Sequence, residues 1–377
     1  MRKVMTLVGT RPELIKMSRV IAEMDRQTNH ILVHSGQNYD YELNQVFFDD
    51  LEIRRPDVFL GAAGSTAAHT IAEVIAKTDD VLAVEKPDAI LLYGDTNTCL
   101  GVIAAKRRKV PVFHMEAGNR CFDQRVPEEL NRKILDHLSD VNLVLTEHAR
   151  RYLIAEGIRP ETIIKTGSHM DEVLAYYWPK IKASDILRRE GLESGKFFIA
   201  SLHREENVDS PENLRQLLGT LRAVAETYGF PVLVSTHPRT RKRLEALGES
   251  LDNPLIRFAA PFGLFDYVRL QMEAHCVLSD SGTITEEGSL LNLPAVTLRN
   301  AHERPEGMDV GTLIMSGVRR EAVLDAIRVV LSQHDRTNRT FPQVPDYQGG
   351  AVSKKIVRIV LSYIDYVNRV VWRTDLP

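Results

Sequence analysis

Three carboxylates stand where apolar runs end. Asp95 follows Leu91–Gly94 in Gly94-Asp95-Thr96, Glu116 closes the run in His114-Met115-Glu116-Ala117-Gly118, and Glu128 follows Pro127. Carboxylates placed close together push each other's pKa values apart, which makes one an acid and another a base. Plainer uses exist for two of them: Asp95 as a helix cap, and Glu128 with Glu129 as complements to a helix dipole. Glu116 has no such use, because nothing local explains a Glu ending an apolar strand.

Basic and hydroxyl-bearing turns complete the set. In Val8-Gly9-Thr10-Arg11-Pro12-Glu13, Gly9 permits a tight turn and Pro12 suits the first helical position. Arg11 then sits beside a helix N-terminus, a natural anion site, or is simply solvated. Ser279-Asp280-Ser281-Gly282-Thr283 leads into Ile284-Thr285-Glu286-Glu287. A small hydroxyl-rich turn entering a helix offers N–H groups to phosphate, and a Glu one turn later can accept both hydroxyls of a ribose. The same letters also read as an ordinary capping sequence. His203 and Arg204 follow another apolar run, placed to act as a general acid or to stabilise a leaving group. Thr236-His237-Pro238-Arg239 repeats that pattern.

These residues need a scaffold that puts strand ends on one side. The expected strands are Lys3–Val8, Ile31–Val33, Ala89–Leu92, Val112–Phe113, Val141–Leu145 and Ile163–Thr166, then Phe197–Leu202, Val232–Ser235, Ile256–Phe258, Val277–Ser279 and Ala295–Leu298. Helical patterns such as Glu129–Leu138 and Pro211–Tyr228 lie between them. Alternation of this kind predicts βαβ units and parallel sheets, hence an α/β chain of two Rossmann-like, doubly wound domains. The expected limits are 1–172, 173–353 and a C-terminal helix, 354–377, packing back on the first domain. Trp178-Pro179 is expected to stop a helix near the first break. Ligands of such sheets bind outside the carboxyl ends of the strands, here in the cleft between domains.

Composition narrows the function further. The chain has 377 residues with 48 basic and 51 acidic side chains, a net charge of −3. That balance gives no bulk attraction to nucleic acid or an anionic membrane. Three cysteines without a CxxC pair speak against a disulfide framework and for a reducing cytoplasm. No apolar stretch reaches the roughly 18 residues of a membrane span. Metal and cofactor signatures (HxH, HExxH, GxGxxG, a P-loop) are absent, as is GxSxG, so neither a metal nor a cofactor is expected.

Together these motifs carry a resemblance. Gly9-Thr10-Arg11-Pro12-Glu13-Leu14-Ile15-Lys16-Met17, Gly94-Asp95-Thr96, Glu116-Ala117-Gly118, Pro127-Glu128-Glu129, His203-Arg204-Glu205-Glu206-Asn207, Ser279–Glu287 and Glu303-Arg304-Pro305-Glu306 occur in this order. The chain thereby resembles the non-hydrolysing UDP-N-acetylglucosamine 2-epimerases from residue 2 to about residue 360. The resemblance implies a glycosyltransferase-B-like fold and inversion at C2 of a UDP-linked 2-acetamido sugar, by elimination of UDP to a 2-acetamidoglycal and re-addition. It implies acid–base work by Asp95, Glu116, Glu128 and His203. It implies UDP contacts from Arg11, Lys16, His237, Ser281, Gly282, Thr283 and Arg304, with Glu287 on the ribose. No cofactor is implied, and a cytoplasmic homodimer is.

Three segments depart from the common branch: Asn119-Arg120-Cys121-Phe122-Asp123, Gly36-Gln37-Asn38-Tyr39-Asp40 and Phe47-Phe48-Asp49-Asp50-Leu51. They resemble the branch that forms UDP-N-acetyl-L-fucosamine from its 6-deoxy-L-talose isomer for capsule or O-antigen polysaccharide. The second departure also speaks against an activating second UDP-sugar. Alternatives are a UDP-GlcNAc/UDP-ManNAc epimerase, a glycosyltransferase of the same fold, a UDP-sugar sensor without catalysis and a hydrolysing epimerase.

Overall fold

The computed structural model describes residues 1–36, 48–248, 253–301 and 303–374. Gln37, Asn38, Tyr39, Asp40 and Phe47, which belong to two of the three departing segments, lie outside the described residues. The chain divides into two units, Met1–Leu174 with Asp346–Pro377, and Ala175–Pro345.

The described residues of the first unit form a parallel sheet of β1 (Lys3–Val8), β2 (Asn29–His34), β3 (Val58–Phe59), β4 (Ala89–Tyr93), β5 (Val112–Ala117), β6 (Val141–Val144) and β7 (Ile163–Lys165), in the order β3-β2-β1-β4-β5-β6-β7. Those of the second form β8 (Phe198–Leu202), β9 (Val232–Thr236), β10 (Ile256–Ala259), β11 (Cys276–Ser279), β12 (Ala295–Thr297) and β13 (Ile314–Met315), in the order β10-β9-β8-β11-β12-β13. Strand positions agree closely with the apolar runs, because strands covered by helices on both faces must be apolar throughout. Val4, Met5, Leu7 and Val8 are completely buried, as are Ala89, Ile90, Leu91 and Leu92. The two-residue edge strands β3 and β13 escape sequence reading, since two residues carry no alternation.

Each order reverses direction once. In the first unit the chain winds outward through β2 and β3, then crosses to the other side of β1 as β4. In the second it does the same between β8 and β11. At such a switch point the loops leaving adjacent strands diverge and open a crevice at the carboxyl ends. Gly9–Arg11 and Gly94–Thr96 leave β1 and β4, while His203 and Ser281–Thr283 leave β8 and β11. These four turns therefore occupy the switch point of their own sheet, while Glu116 stands at the end of the neighbouring strand β5 and His237 leaves β9. Gly9 is required there by close approach: a Cβ would lie 2.0 Å from Thr98 Oγ1 and 2.2 Å from Ser35 Oγ.

Two elements differ from expectation. Helix His169–Ala183 runs through Pro179. Its cost, about 3 kcal/mol in a helix interior, is offset by packing on either side, where Tyr177 and Ile181 are almost wholly buried. The chain also re-enters the first unit before Lys354, at Asp346, because that residue is itself tied there. Lys165 Nζ lies 2.6 Å from its carboxylate and the Glu147 amide donates to it at 2.8 Å. The expected C-terminal helix spans Val352–Val367 and belongs to the first unit, burying Ile356, Val360, Ile364 and Val367. Ser353 donates to Glu172 through both its amide and hydroxyl, and Lys355 to the Thr166 carbonyl. Val370 and Val371 fall in a separate wider turn and stay partly exposed. No helix among the described residues is long and apolar enough to cross a membrane.

Candidate active site

In the first unit the site is built around Glu116. The β5–β6 register shifts between Met115 and Ala117, and Glu116 adopts φ +60°. A bulge re-aims one side chain, and a left-handed residue other than glycine costs roughly 1–3 kcal/mol that the surroundings must supply. Here the surroundings are donors. Lys16 Nζ lies 2.7 Å from Glu116 Oε2, the Tyr93 hydroxyl donates to the same oxygen, and Asn119 Nδ2 reaches Oε1 at 3.5 Å. Lys16 therefore meets a carboxylate in this structure, although the resemblance assigns it to UDP.

Asp95 does not act as a helix cap. The turn Asn97–Gly101 begins after Thr96 with no side-chain cap. The Asp95 carboxylate instead accepts from Arg132 Nη2 at 2.7 Å, and Asn131 Nδ2 donates to the Asp95 carbonyl. Of the paired glutamates, Glu129 takes the structural part. It is wholly buried and accepts from the amides of Cys121 and Phe122, the Cys121 thiol and Arg132. Glu128 stands half-buried in the first turn of helix Pro127–Leu138.

Glu13 ties the two turns of this switch point together. Its carboxylate accepts from the amides of Gly9 and Thr10 and from the Thr96 hydroxyl. Burial pushes it up to about 7, against those three donors. Arg11, half-buried, is drawn down to about 10 by burial, with Asp50 opposing.

Beneath the carboxylates lies a buried polar layer. His114 donates Nε2–H to the Gly94 carbonyl at 2.8 Å, while its Nδ1 faces Asp136 at 2.8 Å. Asp136 also accepts from Arg120 at 2.7 Å and from the Gly118 amide. Burial alone would raise the Asp136 carboxyl, but His114 and Arg120 hold it below the usual range. Arg120 in turn grips Glu156 with Nε and Nη2. Arg132 and Asp136 are not among the residues that the sequence singles out. The available signal is helical spacing, since Glu129, Arg132 and Asp136 stand three and four residues apart on one face that buries charge.

In the second unit Asp280 is the organising residue, and it too is absent from the sequence candidates. It is completely buried at the end of β11, beside the end of β8. The amides of His203 and Arg204 and the Asn207 side chain donate to it. His203 Nδ1 lies 3.1 Å away on a ring that is 39% exposed. Burial raises the Asp280 carboxyl, yet His203 and the other donors bring it below the ordinary value. With Nδ1–H committed to Asp280, Nε2 is the nitrogen available to a ligand.

The Ser281–Thr283 turn is closed on itself, Ser281 Oγ lying 2.9 Å from Thr283 Oγ1. Around Gly282 stand two arginines and a carboxylate. A Cβ at Gly282 would meet Glu303 Oε2 at 3.2 Å, Arg204 Nη2 at 3.6 Å and Arg299 Nη1 at 3.9 Å. Arg304 Nη2 lies 3.6 Å from Glu286 Oε2, both side chains buried. Glu287 accepts from Gln271 Nε2 at 2.6 Å. His237 is exposed and caps helix Pro238–Leu247, its Nδ1 accepting from the Arg239 amide. Arg11, Lys16, Asp95, Glu116 and Glu128 thus belong to the first unit, and His203, His237, Ser281, Gly282, Thr283, Glu287 and Arg304 to the second.

With this geometry in place, the chain can be set beside known proteins. The sequence profile of the family described as UDP-N-acetylglucosamine 2-epimerase matches residues 22–361. The solved structure of a UDP-N-acetylglucosamine 2-epimerase from Rickettsia bellii is 60% identical, covers 99% of this chain and 100% of its own, and superposes with a TM-score of 0.94. The enzyme from Methanocaldococcus jannaschii, solved with UDP-GlcNAc and UDP, is 31% identical over 96% of this chain and 99% of its own, with a TM-score of 0.89. The UDP-2,3-diacetamido-2,3-dideoxy-D-glucuronate 2-epimerase of Pseudomonas aeruginosa is 34% identical over 94% of this chain and 98% of its own. The chain belongs to the UDP-N-acetylglucosamine 2-epimerase family of isomerases.

Proposed function

We propose that the chain interconverts two UDP-2-acetamido sugars that differ at C2, in the cytoplasm and as a homodimer. The observation that supports this best is Glu116, thrust out of its strand by a bulge and held there by Lys16 and Tyr93. A glycosyltransferase would need an acceptor pocket and would not need three carboxylates, whereas moving a carbon-bound proton and stabilising positive charge at C1 calls for several. In the elimination the C2–H bond breaks and its proton passes to a base. The electron pair becomes the C1=C2 bond of a 2-acetamidoglycal, and the C1–O pair leaves with UDP. Re-addition returns UDP to C1 and a proton to the other face of C2. Abstraction from an unactivated carbon requires C1–O cleavage to run ahead, leaving positive charge at C1 that carboxylates stabilise.

Asp95, Glu116, Glu128 and His203 share the acid–base work in this reading. Arg11, Ser281, Gly282, Thr283, Arg304 and His237 bind the diphosphate, Glu287 the ribose, and Lys16 acts through Glu116. The Asn119–Asp123 segment supports the L-fucosamine-forming branch, with a product for surface polysaccharide. The names of the relatives favour UDP-GlcNAc as the second candidate substrate. Proton NMR in D₂O with each sugar nucleotide separates these readings. Deuterium is expected at C2, fastest with the 6-deoxy-L sugar. No exchange with any UDP-2-acetamido sugar would sink the proposal, and transfer to an acceptor without exchange would favour a glycosyltransferase.

Asp280 gives a second expectation. Asp280→Asn keeps the shape but no longer fixes Nδ1–H on His203, so kcat is expected to fall about a hundredfold or more. UDP affinity, measured by calorimetry, should change little. A variant within a factor of about three of the parent rate would remove His203 from the mechanism.

A further inference from the structure

Tyr93 ends β4 with its side chain almost wholly buried. The parallel register pairs it with Met115. Side chains at paired positions share one face of a sheet, and the next residue along a strand turns to the other. Continued pleating would therefore carry Glu116 away from Tyr93. The register shift and the φ of +60° at Glu116 reverse that, and the carboxylate returns to the Tyr93 hydroxyl. The bulge and the phenol are two halves of one arrangement.

Two donors meet a single oxygen there. The Tyr93 hydroxyl and Lys16 Nζ both address Glu116 Oε2, and Lys16 Nζ sits 5.5 Å from the centre of the Tyr93 ring. The ring is in turn held edge-on by His169, with centroids 5.4 Å apart at 72°. A carboxylate gripped by an ammonium and a phenol on the same oxygen is fixed in rotation. Lys16 alone would supply the charge. Tyr93 adds direction, because its short side chain leaves the hydroxyl little freedom once the ring is packed.

We propose that Tyr93 is a positioning residue for proton transfer at C2, fixing the rotation in which the Glu116 carboxylate meets the substrate. This rests on the reading of the chain as a C2 epimerase. In the step concerned, the C2–H bond breaks and the proton passes to a Glu116 oxygen. The released pair forms C1=C2 as the C1–O pair leaves with UDP. Tyr93 stays a donor throughout and exchanges no proton with the sugar.

The test is Tyr93→Phe, which keeps the ring packed against His169 and removes only the hydroxyl. Losing a hydrogen bond to a charged group is expected to lower kcat about tenfold to a hundredfold, with KM little changed. The kinetic isotope effect on kcat, measured with substrate deuterated at C2, should rise, because a misdirected transfer becomes more rate-limiting than product release. Tyr363→Phe is the control. It removes an exposed phenol that donates to the Glu161 carbonyl in the same unit, and should change neither quantity. A fall in kcat with an unaltered isotope effect, matched by a lower thermal midpoint, would show a purely structural phenol and overturn the inference. So would an unchanged kcat. If the parent enzyme exchanges no C2 proton with any UDP-2-acetamido sugar, the functional reading fails first and this inference falls with it.

Discussion

A Glu116→Gln variant is expected to lose C2 exchange by about a thousandfold while still binding UDP. The amide fills the same space and can still accept from Tyr93, so the bulge has little reason to relax. The capacity to take a proton disappears, and so does the negative charge beside the developing cation. General acid–base groups contribute about 10²–10⁴ in rate, and charge stabilisation adds to that. Lys16, only 7% exposed, loses the charge of Glu116 in the same change, so some stability goes with the activity. The measurement pairs deuterium wash-in at C2 with UDP calorimetry and a thermal melt. A folded variant that binds UDP and exchanges at more than a tenth of the parent rate would exclude Glu116 as the group at C2. Asp95→Asn and Glu128→Gln, run beside it, then separate the remaining carboxylates.

Much of this arrangement is legible in the sequence for one physical reason. Parallel strands buried on both faces must be apolar, and the turns at their carboxyl ends carry the function. The turns that carry Asp95, Glu116, His203 and Ser281 can therefore be placed at strand ends without knowing the sheet order. The order itself, with its reversal beside β1 and β8, is needed to see that the turns after β1, β4, β8 and β11 flank the switch points and that Glu116, at the end of β5, stands one strand further along. Three features are hidden for separate reasons. The Glu116 bulge is a matter of φ and register, and no residue type announces it. Asp280 lies in plain view within a motif, but its grip on His203 depends on β8 and β11 being neighbours across a long stretch of chain. Helix Pro127–Leu138 buries Glu129, Arg132 and Asp136, so counting apolar residues misses the face that matters. Pro179 fails as a stop signal because local propensity is weaker than the burial of Tyr177 and Ile181.

The largest loss of stability is expected from that hidden face. Asp136→Asn removes the negative charge that Arg120 and His114 share, and all three side chains are completely shielded from water. Breaking one partner of a buried ion pair costs about 3–5 kcal/mol, because the remaining charge cannot recover its solvation. Arg120 keeps Glu156, so the lower end, about 3 kcal/mol, is expected in urea unfolding. Glu156→Gln makes the contrast. Its carboxylate is 26% exposed, water can replace it, and about 1 kcal/mol or less should be lost. The pH dependence has a definite sign. Because Asp136 is held below its usual value, its contribution is complete above the ordinary carboxylate range and is lost as pH falls through the depressed value. The Asn variant should lack that part of the acid unfolding. Activity should fall further than folding explains. His114 holds the Gly94 carbonyl immediately before Asp95, and Asp136 holds the Gly118 amide two residues after Glu116. A single buried carboxylate thereby sets the separation of two groups that the proposed chemistry needs, and a variant of equal stability and unaltered rate would show that separation to be set elsewhere.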